Sequence, residues 1–135
     1  MTYYLGKINK NDYLILKDQN KIKFNMTTTC FQGTKKFFNN TYLNVLNPNN
    51  FIYELETEIE NYIKSKDTTF VGLELKSNII FNQKQFLQFK VSSDTLIVPE
   101  TKLILEIEVD KIKINEKTKS YQILLNLIKF EKIEN

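Results

Sequence analysis

In GTKKFFNNTY, residues 33–42, two lysines stand directly before two phenylalanines. An ammonium group attracts phosphate and an exposed ring stacks on a nucleobase, so this pairing has the chemistry of single-strand binding. The same four residues suit a plainer use, in which the rings fill a core and the lysines keep a loop soluble. Glycine, threonine and asparagine around them read as that loop. Neighbours in an extended chain face opposite ways, so one of Phe37 and Phe38 is expected in the core and the other in solvent.

Catalytic chemistry has less to work with. The chain has no histidine, which removes the commonest general acid–base and metal-ligating group. Cys30 is the single cysteine; one thiol cannot build a thiolate metal site, and TTTCFQG offers it no activating partner nearby. Gly6, Gly33 and Gly72 stand apart, so there is no glycine-rich phosphate loop. Glu106, Glu108 and Asp110 alternate at roughly 7 Å and could hold a hard cation. A solvated strand face with Lys129 opposite explains them equally well. Glu74 and Lys76 resemble the Glu-x-Lys half of restriction-type nucleases, but Asp67 stands closer than that family's aspartate and too many strands surround it. No catalytic residue, metal or cofactor is expected.

Most of the chain must position these groups as strands, because period-2 alternation dominates. Ile22, Phe24 and Met26 oppose Lys21, Lys23 and Asn25, and the run Asp12 to Lys17 is expected to join them in a hairpin through Asp18-Gln19-Asn20. TYLNVLN is another strand, ended by Pro48. Thr68 to Lys76, Asn78 to Asn82 and Gln85 to Val91 read as three more. In KLILEIEVDKIKI, Leu103, Leu105, Ile107 and Val109 share a face, whereas Ile112 and Ile114 fall out of phase; a bulge near Asp110 would restore them. NEKTK turns the chain and SYQILLNLIKFE returns, making a long bent C-terminal β-hairpin.

One helix interrupts, at about residues 50–65, where Ile52, Leu55, Ile59, Tyr62 and Ile63 form an apolar stripe. Glu54, Glu56 and Glu58 lie toward its positive end, and Glu60 with Lys64 makes a favourable pair. Repeats and linkers are absent, and 135 residues suffice for one domain that buries about two thirds of its unfolded surface. The expected class is mainly β: a single small antiparallel β-barrel domain over 1–135, whose closure satisfies strand edges.

Composition limits what lysine content can mean. The chain lacks Ala, Arg, His and Trp and is rich in Lys, Asn and Ile, the mark of an AT-rich genome such as that of a virus, phage or parasite. The net charge is only +3. Its distribution is uneven: residues 1–50 set seven lysines against Asp12 and Asp18, and residues 51–75 set Lys64 and Lys66 against six acids. That asymmetry suits a steered anionic partner; a scatter of solvated charges is the alternative. No apolar run approaches the roughly 18 residues of a membrane span, and MTYYLGKINKND has no signal-peptide core. With one cysteine, an intracellular reducing compartment is expected: cytoplasm or nucleus, that of an infected host included, with no membrane.

The 7 Tyr and 10 Phe exceed what a small core needs. Within strands, alternation turns each Lys–Phe neighbour pair into one surface and one core residue, and GTKKFFNNTY escapes that rule. The layout of β-hairpins, then NPNNFIYELETEIENYIKSK, then KLILEIEVDKIKINEKTKSYQILLNLIKFE resembles the OB-fold single-stranded DNA-binding proteins of phages and large DNA viruses. The likeness covers residues 21 to 131 and is one of architecture, without a diagnostic motif. It does not extend to the ending FEKIEN, short and nearly neutral where such proteins often carry an acidic tail that recruits replication partners.

The resemblance implies a non-enzymatic, OB-like barrel that binds single-stranded nucleic acid, DNA before RNA, without strong sequence preference. Lys21, Lys23, Lys35 and Lys36 would line a groove tracking the backbone, and Phe37 or Phe38, with Tyr42, would offer stacking platforms. Lys111, Lys113, Lys117 and Lys119, around the tip of the last hairpin, would form the opposite wall. The alternative is a viral or phage structural or assembly protein, a homo-oligomer joined through its β surface.

Overall fold

The computed structural model describes residues 2–133; the last two residues of the ending FEKIEN lie outside them. Among the described residues the chain is mainly β with one α-helix. The strands are β1 (Tyr3–Lys7), β2 (Asp12–Lys17), β3 (Lys23–Phe37), β4 (Asn40–Leu46), β5 (Glu74–Leu75), β6 (Ile80–Asn82), β7 (Lys84–Val91), β8 (Lys102–Asn115) and β9 (Ser120–Lys132). Helix α1 (Phe51–Lys66) lies between β4 and β5. Among the described residues no helix is long and apolar enough to cross a membrane.

The fold gathers into two compact units. The first holds the chain up to Lys23, Phe51–Asn78 and Glu108–Leu125. There β2 pairs antiparallel with β1 and with the C-terminal part of β8, while β5 adds to β9 in parallel. The helix buries Ile52, Ile59 and Ile63 completely, as its stripe predicts. Tyr13, Phe70 and Tyr121 meet edge to face, with Phe70 centroids 5.0 and 5.1 Å from the other two rings. That is a preferred arrangement of aromatic quadrupoles.

The second unit holds Phe24–Asn50, Ile79–Ile107 and the chain from Asn126. Its strand order is β8-β3-β4-β7-β6. Leu43, Val45, Leu87, Leu103, Leu105 and Ile107 make its core. Apolar phase along β8 changes as expected: Val109 and Ile112 are both buried, with half-buried Asp110 and Lys111 between them.

Two expectations are corrected, and a third, the barrel, is met only in its mainly β class. Residues Asp12 to Lys17 do not form a hairpin with the next strand; β2 instead pairs with β1 and β8. The stretch Thr68 to Lys76 is not one strand but a 3₁₀ turn, Thr68–Phe70, followed by the two-residue β5. Asp67 causes this, since its carboxylate accepts the Thr69 N–H at 2.9 Å and caps the turn. Lastly, in neither unit do hydrogen bonds among the described residues close the sheet into a ring. Strand β1 ends the path in the first unit, and the three-residue β6 ends it in the second.

Candidate nucleic-acid interface

The presumed loop GTKKFFNNTY is a tight hairpin. Gly33 to Phe37 belong to β3, Asn40 to Tyr42 belong to β4, and only Phe38 and Asn39 form the turn. Register places Lys35 opposite Tyr42, Lys36 opposite Thr41 and Phe37 opposite Asn40. Phe38 adopts φ +56° at the first turn position, where two-residue hairpins favour glycine or asparagine. A bulky residue there is strained.

Both rings are in solvent. Phe37 is 65% and Phe38 88% exposed, and they touch edge to face with centroids 4.5 Å apart. The expected split into one core and one surface ring fails because Phe38 leaves the strand, so alternation no longer applies to it.

A bulge sets the hairpin's direction. Between the pairs Cys30↔Val45 and Thr34↔Leu43, four steps of β3 match two of β4. Gln32 and Gly33 absorb the surplus at φ +67° and +74°. A Cβ on Gly33 would lie 3.2 Å from the Ile97 carbonyl oxygen, so glycine is needed both for its conformation and for the close approach. Backbone bonds Thr34 N–H to Ile97 O (2.9 Å) and Cys30 N–H to Thr101 O (2.8 Å) pin the bulge. Cys30 is 2% exposed, and burial pushes its thiol pKa up, away from thiolate reactivity.

The neighbouring strand adds a residue that the sequence did not reveal. Tyr42 has Lys35 opposite on β3 and Lys90 opposite on β7. Three side chains thus cross one face as Lys35–Tyr42–Lys90, with Phe37 two residues along from Lys35 on the same side. Both lysines are exposed, Tyr42 is half-buried, and no side-chain ion pair engages Lys35, Lys36 or Lys90 among the described residues. Lys90 stands beside Phe89 in the sequence, but only the β4–β7 register reveals its place beside Tyr42.

The remaining sequence candidates belong to the first unit. Lys21 lies 3.8 Å from Glu108 and 3.4 Å from Asp110, and Lys23 lies 3.7 Å from Glu108. Two of the three carboxylates considered for a cation are therefore engaged by lysine. Lys111 pairs with Asp12 at 3.4 Å. A hydrogen bond from Asn9, then the nearby Lys111 charge, hold the Asp12 carboxyl below its ordinary range. Lys113 and Lys117 line a 460 Å³ groove with Lys76 and Glu116, while Lys119 is exposed in the β8–β9 turn. The structure therefore gathers Lys35, Lys36, Phe37, Phe38 and Tyr42 in one hairpin, with Lys35, Phe37 and Tyr42 on one face and Lys36, opposite buried Thr41, on the other. It places Lys21, Lys23, Lys111, Lys113, Lys117 and Lys119 in the other unit.

No protein-family model, curated protein or solved structure matches this chain.

Proposed function

We propose that this protein binds single-stranded nucleic acid, DNA before RNA and with little sequence preference, as a binding protein and not an enzyme. The observation that carries this is the Lys35–Tyr42–Lys90 row beside the exposed Phe37 and Phe38 rings. Unpaired ammonium groups attract backbone phosphates, and rings in solvent stack on bases that a duplex would keep paired. The sheet β3–β4–β7 then does the work that a barrel face does in OB-like proteins.

The test is a salt series of binding to a labelled oligonucleotide, single-stranded beside duplex. Expected are tighter binding of the single strand and a log–log salt slope of about −0.7 per neutralised phosphate. Equal or tighter duplex binding, or none at low salt, would refute the proposal.

One observation favours a second reading, self-assembly of a structural protein. Strand β6 ends its sheet path and carries Phe81, 74% exposed, beside exposed Ile80. An apolar edge strand is a ready template for another chain. Concentration-dependent sizing without oligonucleotide affinity would favour this reading.

A further inference from the structure

The Lys90 end of the basic row opens into a groove. Lys90 faces Tyr42 across the strands and also lines a groove of about 710 Å³ at the end of β7. Ser92 and Thr95 line it after β7, and Asn126, Lys129 and Phe130 line it from β9. Every wall belongs to the second unit; the lining residues include two lysines and no acid, although lining Ser92 donates its hydroxyl to the Asp94 carboxylate. Lys129 is exposed and Phe130 half-buried, and as neighbours within β9 their side chains leave opposite faces of the strand. The same two residues border a separate hollow of about 360 Å³ with Glu106 and Glu131. An anion is therefore favoured on the Lys90 side of β9 and repelled on the other.

We propose that this groove is a second phosphate subsite, which carries the strand onward from the hairpin. Lys90 and Lys129 hold backbone phosphates, and the Thr95 hydroxyl offers a neutral hydrogen bond. The inference rests on the single-strand reading of the hairpin and extends its length. Adjacent strands lie about 4.8 Å apart, so Lys35 and Lys90 are roughly 10 Å apart across Tyr42. The groove therefore begins where the hairpin face ends.

Oligothymidylates of about 4 and about 12 nucleotides test this, bound to wild type, Lys129→Glu and Lys129→Gln. Denaturation curves run alongside show whether each variant folds; Lys129 is exposed, so both changes spare the core. The expected result is a loss of about tenfold on the longer strand for Lys129→Glu, with under about twofold on the shorter one. Lys129→Gln should flatten the salt slope for the longer strand by about 0.7. Wild type binding the longer strand no better than these folded variants would overturn the groove and leave the hairpin reading standing. Equal losses on both lengths would overturn the onward path. Wild type binding neither strand would overturn the hairpin reading and the groove together.

Discussion

Phe37 and Phe38 meet edge to face 4.5 Å apart at a hairpin tip, although neither reaches the core. Phe38 does so on a backbone at φ +56° that glycine would adopt more easily. Stability alone gives no reason for a ring there. Phe37→Ala and Phe38→Gly are each expected to weaken single-strand binding by ~1–3 kcal/mol. Neither should lower the melting temperature appreciably, and Phe38→Gly should leave it equal or higher. A core ring would instead cost ~3–5 kcal/mol of fold stability when truncated, which denaturation without oligonucleotide measures directly.

The two lysine sets should separate in a salt titration. Changing Lys35 and Lys36 to Gln removes free ammonium groups from the hairpin, so binding should fall alike on all sequences. The salt slope should flatten by about 0.7 for each phosphate that is no longer neutralised. Lys21→Gln with Lys23→Gln breaks pairs to Glu108 and Asp110 instead. Those pairs are partly exposed, so each should cost ~0–1 kcal/mol of stability, with the slope unchanged. If the second change flattens the slope as much as the first, the hairpin does not supply the main grip on phosphate.

The strands and the helix were legible because they rest on local periodicity. The stripe of Ile52, Leu55, Ile59 and Ile63 needs no tertiary information to be read, and the phase slip from Val109 to Ile112 could be seen in the chain itself. Pairing was not legible. The turn at Asp18-Gln19-Asn20 suggested that β2 and β3 are partners, yet distant β8 pairs with β2, a choice made by long-range packing. GTKKFFNNTY has the composition of a loop, but β4 and β7 draw most of it into a sheet. The residue types of the candidate site were therefore visible, whereas the Lys35–Tyr42–Lys90 row was not, because cross-strand register is a property of the fold.

Packing also gives a role to Glu56, whose spacing from Ile52 and Ile59 sets it within the apolar stripe of the helix. Glu56 is 4% exposed. Its carboxylate accepts from the Ser77 hydroxyl at 2.6 Å, the Asn78 backbone N–H at 2.8 Å and the Asn78 side-chain amide at 2.9 Å. Asn78 donates in turn to the Ile123 carbonyl at 2.6 Å, tying α1 to the segment after β5 and to β9. Glu56→Ala would strand several of these donors in the interior, so a loss of about 3 kcal/mol is expected in urea denaturation. Glu54→Ala, on an exposed position two residues earlier, should change stability by under about 0.5 kcal/mol. Equal effects at the two positions would refute the buried network.

Acid should destabilise the first unit through a capping aspartate. The Asp67 carboxyl is held below its ordinary range by the Thr69 side chain, then by the Thr69 backbone N–H, with the Tyr13 hydroxyl and Lys7 helping. A folded pKa below the unfolded value means that the unfolded state binds the proton more readily. The charged carboxylate thus contributes its full share above the unfolded pKa of about 3.9, and that share is lost as pH falls through the folded value. Asp12, lowered mainly by Asn9, acts in the same direction. Urea midpoints should therefore stay level from neutral pH down to about pH 5 and fall below about pH 4. Asp67→Asn keeps an oxygen to cap the turn but loses the charge. Its deficit against wild type should be largest near neutral pH and shrink toward zero in acid. A deficit that is constant across that range would mean the charge plays no part, and that the hydrogen bond from Thr69 alone explains the cap.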